Sequence, residues 1–306
     1  YEEAIKLYQR ALDDDFKHGH AMAGLGWAFL KSLKHKEALD YYSSLLQLDP
    51  SNRDALFFLF ESFRGGLSEK LTKELVYVDE FLESAVALLG VNHLIAFGDS
   101  HVKLFEDRQE IEVNHVGAST AYNLMKEYSS TRGRSQVLTR LTRMNPKEEA
   151  VLLCFGEVDV RSNILKTGYQ KKLSIDKVVM DVVARYITFA NEIASKGFQV
   201  VVYGGYGAGT DRNAFGSEQE RNYAAGCLHQ DLLKACRIEG FIYFSLHDLF
   251  FDEGLLRTDR KFLVDDFHLY SKGKALGEIQ LLLFEQLYQA CKNKLNENTS
   301  IKETAI

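Results

Sequence analysis

A few residues spread along the chain have the types and order needed for acyl chemistry. Ser100 follows Gly98-Asp99, and His268 follows Asp265 by three residues in the stretch DDFHL (265–269). A serine hydroxyl is a weak nucleophile until a base takes its proton. Histidine suits that task near neutral pH, and a carboxylate can fix its tautomer and orientation. One tight turn can present both Asp265 and His268 to Ser100, with Asp266 as a substitute for Asp265. Attack on an acyl carbon creates an oxyanion that requires preorganised donors. The backbone N–H groups of Ser100 and Gly117 are candidates, and a glycine at 117 lets backbone and substrate approach closely.

Arg161 offers a guanidinium that stays charged and carries five N–H donors. It suits either the oxyanion or a substrate carboxylate or phosphate, with Glu157 and Asp159 expected to hold it in place and Asp159 to line the site beside it. His101, adjacent to Ser100, is a candidate pocket residue. Asp99 reads as structural, holding its turn by accepting nearby backbone N–H groups. Asn163 and His247 read as bystanders. Each candidate has a plainer reading: Ser100 closing a turn, His268 on the surface, Gly117 in a turn, Arg161 in a surface ion pair.

These residues fall at the ends of short apolar runs. HLIAF (93–97), IEVNHV (111–116), AVLLCF (150–155), FQVVVY (198–203) and FIYFSL (241–246) read as five strands, with helical patterns over 119–129, 174–196, 217–238 and 271–293. Strands alternating with helices predict an α/β fold with a parallel sheet covered on both faces. In such sheets the ligand site lies beyond the carboxyl ends of the strands. Ser100, Gly117 and Arg161 all follow predicted strand ends. The glycines of YGGYGAG (203–209) do not have phosphate-loop spacing and no helix follows at once, so this stretch reads as one wall of a cleft. No His, Cys, Asp or Glu cluster has metal-ligand spacing, so neither a metal nor a cofactor is expected.

The N-terminus has a different pattern. EEAIKLYQRAL (2–12) and KEALDYYSSLL (36–46) align at an offset of 34 residues, with Ala4 on Ala38 and Tyr8 on Tyr42. That is the tetratricopeptide period. Gly26 and Ala38 would let paired helices approach, and Tyr42 and Phe29 would fill the gap. The expected organisation is repeat helices over 1–65, a linker and connecting helix over 66–90, the α/β domain over 91–295 and a polar tail over 296–306. The repeat helices either cap the second domain or offer a surface to a protein partner.

Bulk properties narrow the function classes. Of 306 residues, 46% are hydrophobic and 26% charged, which supports a buried core. The formal net charge of −6 and the lack of a basic run point away from nucleic acid. No apolar stretch approaches a membrane span. The four cysteines form no CxxC pair and read as buried thiols, which suggests a reducing, cytoplasmic setting. The chain opens at Tyr1, inside a helical pattern, leaving room for a leader or further repeats upstream.

FGDSH (97–101), Gly117 within HVGASTAYNL (115–124), FGEVDVR (155–161) and DDFHL (265–269) resemble, in block order, the SGNH or GDSL-like hydrolase family. The resemblance covers roughly residues 91–292 and is strongest to a branch whose third block reads GE(I/V)DxR and which carries tetratricopeptide repeats. It implies a three-layer α/β/α, flavodoxin-like sandwich of about five parallel strands. It also implies Ser100 as nucleophile, Gly117 as oxyanion glycine, and Asp265 and His268 as the remaining pair. The family's usual third block reads Gly-x-Asn-Asp, and here Val158 replaces the asparagine donor. The expected activity is removal of a small acyl group, such as acetyl, from a carbohydrate or related ester. Two alternatives stay open: O-acyl transfer through the same acyl-enzyme, and a catalytically reduced ligand-binding module with a protein-interaction surface.

Overall fold

The computed structural model describes residues 1–15, 18–49, 52, 55, 58, 77–204, 214–252, 257–258, 268–269 and 273–304. The chain divides into two compact units, Tyr1–Val76 and Tyr77–Ile306. No helix among the described residues is long and apolar enough to cross a membrane.

In the first unit, helices α1 (Glu2–Asp14), α2 (Gly19–Lys31) and α3 (His35–Leu48) pack in sequence, with α2 against both neighbours. Glycines on α2 make the close approach possible. A Cβ at Gly24 would stand 2.4 Å from the Tyr8 ring, and one at Gly26 would stand 2.9 Å from the Tyr42 ring. Leu25, Phe29, Ala38, Tyr42 and Leu45 form the buried cluster, with Ala55 added from the following segment. Most of residues 50–65, the last part of the expected repeat helices over 1–65, lies outside the described residues.

The second unit begins with helix α4 (Tyr77–Leu89) and is built on strands β1 (His93–Gly98), β2 (Ile111–His115), β3 (Glu149–Cys154), β4 (Val200–Gly204) and β5 (Ile242–Ser245). All are parallel, in the order β2–β1–β3–β4–β5. The chain therefore leaves β1 for one edge, returns across it to β3, and then winds the other way. That order is the flavodoxin-like doubly wound arrangement, whose ligand crevice opens between β1 and β3.

Helices cover both faces, giving a three-layer α/β/α sandwich. Ile95, Phe97, Val151, Leu153, Val200 and Val202 pack on one face, beneath helices at Gly133–Leu141, Ile164–Lys171, Ile175–Ala194 and Glu218–Glu239 (α5 to α8). On the other face, α4 packs along the C-terminal helix α9 (Gly273–Thr304). There Phe105, Tyr203, Phe244 and Phe284 form an aromatic cluster. Central strands buried on both faces explain why they read as nearly unbroken apolar runs.

The structure departs from the sequence reading at several places. The expected helix over 119–129 is a short 3₁₀ turn, Ala121–Asn123. The carboxylate of Asp159 takes the N–H groups of Ala121 and Tyr122, and the Thr120 hydroxyl takes that of Asn123. Helix α5, unforeseen in the sequence, starts after Arg132 enters the left-handed region at φ 51. The last helix runs on to Thr304 through residues expected to form a polar tail.

Candidate active site

The parallel register brings Gly98, His115, Cys154, Tyr203 and Ser245 to one end of the sheet. Gly98 is glycine because of its neighbour: a Cβ there would stand 2.3 Å from the Cys154 carbonyl oxygen and 2.8 Å from the Cys154 Cβ. The tight contact fixes where the chain leaves β1. Asp99 then caps the next turn. Its buried carboxylate accepts from the His101 backbone N–H at 2.9 Å, starting a 3₁₀ helix over Ser100–Phe105. This is the structural part expected of Asp99.

Ser100 is the first residue of that turn, and its Oγ lies 2.8 Å from Nε2 of His268. The two residues are 168 positions apart in the chain. When the hydroxyl donates to Nε2, the imidazole is placed to take its proton. His101 lies almost parallel to the His268 ring, with centroids 5.0 Å apart and planes 16° apart. Its Nδ1 is 2.8 Å from Asp99 Oδ1. A carboxylate only accepts, so Nδ1 carries the proton of that bond. His101, expected to line a pocket, is only 4% exposed and instead supports the ring of His268. Asp265 lies outside the described residues.

Gly117 follows β2, and the Val116 N–H donates to the Gly98 carbonyl, which ties this exit to that of β1. Gly117 has φ 76, and only Thr131 Cγ2, at 3.9 Å, lies near the place of a side chain. Backbone conformation rather than crowding favours glycine there.

The segment after β3 turns at Gly156, with φ 123, and passes into a single π-helical stretch over Asp159–Asn163. Val158 is buried. Glu157 is 4% exposed and lies 3.4 Å from Arg161 Nε and 3.8 Å from His101 Nδ1. Burial pushes the Glu157 carboxyl above the usual range, and the His101 and Arg161 charges pull it back. Glu157 thus links Arg161 to the histidine pair, as half of the expected clamp required.

Asp159 does not form the other half. It is fully buried and points to the 121–122 backbone, with bonds of 2.6 and 3.2 Å. Residues two apart on a helical turn face different directions, whereas residues four apart share a face. Arg161 therefore pairs with Glu157, and Asp159 is a structural residue rather than a wall of the site. Burial raises its carboxyl to about 7 against the pull of those backbone bonds.

No family model and no curated protein matches this chain. Several solved structures are similar in outline. One is a GDSL-like lipase from Bacteroides thetaiotaomicron, at 10% identity and a TM-score of 0.46, covering 71% of this chain and 99% of that one. A carbohydrate acetylesterase from Sinorhizobium meliloti has 14% identity and a TM-score of 0.41, covering 64% and 98%. A catalytic mutant of an acetylxylan esterase from Geobacillus stearothermophilus has 12% identity and a TM-score of 0.42, covering 65% and 94%.

Linear spacing did not show two trios that the fold gathers among the described residues: Asp99, His101 and Glu157 beside Ser100, and His229, His247 and Asp248 at the end of β5. His247, read as a bystander, is one of them. No pairwise spacing along the chain signals either trio, because each draws on two separate elements.

Proposed function

We propose that the second unit is a serine-dependent ester hydrolase of SGNH type, acting on a small acyl group carried by a carbohydrate or related ester. The observation that carries this reading is the 2.8 Å contact between Ser100 Oγ and His268 Nε2 at the β1–β3 crevice. In the proposed reaction, Ser100 Oγ attacks the acyl carbonyl while its proton passes to His268 Nε2. The tetrahedral oxyanion is met by the backbone N–H groups of Ser100 and Gly117 and by the Arg161 guanidinium, which Glu157 orients. Collapse breaks the ester C–O bond, and His268 returns the proton to the departing alcohol. Water then attacks the acyl-enzyme with His268 as base, releasing the acid and restoring Ser100. Asp265 is assigned the orientation of His268. The choice of a small acyl group on a carbohydrate follows the motif resemblance. The first unit is read as tetratricopeptide repeats offering a surface to a protein partner.

A fluorophosphonate probe should label the wild-type chain on Ser100, label Ser100→Ala not at all, and label His268→Ala far more slowly. Lack of wild-type labelling, or equal labelling of Ser100→Ala, would overturn the reading. One observation favours a second reading, an ester-binding module with reduced turnover: the side chain in the usual asparagine position is the buried, donorless Val158. Labelling without hydrolysis of any small ester would select it.

A further inference from the structure

The carboxyl end of β5 carries a second cluster that the proposed reaction does not use. His229, on α8, and His247, in the helical turn after β5, are 5% and 3% exposed, and their rings stack with centroids 4.6 Å apart. Asp248 is open to solvent, and its Oδ1 lies 3.3 Å from His229 Nε2 and 3.0 Å from His247 Nδ1. His229 is anchored from behind, with Nδ1 2.8 Å from the Tyr243 hydroxyl. Its Nε2 is left buried and facing the cluster without an aligned hydrogen bond. A metal-binding imidazole needs one nitrogen anchored by a hydrogen bond and the other presented to the ion.

We infer that His229, His247 and Asp248 form a site for one divalent transition-metal ion, open on one side to solvent. Two imidazoles and one carboxylate are donors suited to zinc and its first-row neighbours. One ligand atom from each residue lies within 4.8 Å of the other two. The two contacts to Asp248 match neighbouring ligand atoms around an ion with bonds of about 2.0–2.2 Å. Burial, and then the neighbouring His247, lower the pKa of His229 and favour the neutral ring that a ligand must be.

Each ring's lone pair lies in the ring plane, so stacked rings cannot both point at one ion, and loading must turn one of them. His247 has the room. It packs over Gly226, where even an added Cβ would stand 3.9 Å from Nε2. It also lines a cavity of about 530 Å³, together with Asp176, Asp231 and Lys234. The trio beside Ser100 is a weaker host. Asp99, His101 and Glu157 are all buried, and His101 Nδ1 is already bound to Asp99.

The test uses the full chain, stripped with a chelator and titrated with Co²⁺ by visible absorption and with Zn²⁺ by calorimetry. One equivalent should bind in the wild type, in Ser100→Ala and in His101→Ala. Binding should weaken by more than the ~10–100-fold typical of losing an outer partner in Asp248→Asn and His247→Ala. Asp248 is exposed, so its variant keeps the fold and decides the matter even if His229→Ala does not fold. No bound equivalent, binding unchanged in Asp248→Asn and His247→Ala, or binding lost in His101→Ala would each overturn the inference. The site is independent of the esterase reading, which the fluorophosphonate experiment tests separately.

Discussion

Replacing Gly98 with alanine tests how tightly the sheet fixes the nucleophile. The new Cβ would stand 2.3 Å from the Cys154 carbonyl oxygen, where real contacts essentially never fall under 3.0 Å. The obstacle is strand backbone and cannot swing aside, so β1 and β3 must part locally by roughly 0.7 Å, a form of overpacking that costs about 1–3 kcal/mol. The same movement strains the Asp99 N–H to Cys154 carbonyl bond and shifts the start of the turn carrying Ser100. A misplacement near 1 Å costs about 10²-fold in rate. Gly98→Ala should therefore lower both the urea midpoint and kcat for a small ester, the latter by ~10–10²-fold. Gly117→Ala is the control. Its cost is the left-handed φ of 76 with no crowding, about 1–2 kcal/mol, and its backbone N–H survives. It should lose stability yet keep kcat within about 10-fold. A Gly98→Ala enzyme with wild-type kcat and labelling rate would refute the reasoning.

Two further predictions follow from the segment after β3. Arg161→Ala should reduce kcat by ~10²–10³-fold if the guanidinium meets the oxyanion, and unchanged kcat and KM would remove Arg161 from the mechanism. For Asp159, the folded carboxyl sits at about 7 against an ordinary 3.8, so the native state holds the proton more tightly than the unfolded chain. Its contribution to stability is present at low pH and is lost as pH rises through that window, by about 4 kcal/mol. Urea melts at pH 4 and pH 7 should show roughly 3 kcal/mol of that difference between wild type and Asp159→Asn; the same pH dependence in both proteins would contradict it.

Much of the second unit is legible in the amino-acid order. Short apolar runs ending in glycine become strands because buried parallel strands need apolar side chains on both faces. The long helices over 175–194 and 218–239 follow the expected spans of 174–196 and 217–238 closely. Ser100, after a predicted strand, and His268, three residues after Asp265, are candidates from their chemistry and from the order of the blocks they share with the resembling family. The 119–129 segment was misread because its amide groups are taken by Asp159, a residue in another element.

What the chain order determined is the set of local choices: apolar runs, helix periodicity, glycines at strand exits and reactive side chains beside them. These depend on neighbours within a few residues. The tertiary structure alone decided the strand order, the contact across 168 residues between Ser100 and His268, and the direction of each carboxylate. Asp159 and Glu157 are two residues apart, yet one serves a backbone turn and the other the histidine pair. The path of the backbone between them sets that difference, and packing against distant elements sets the path.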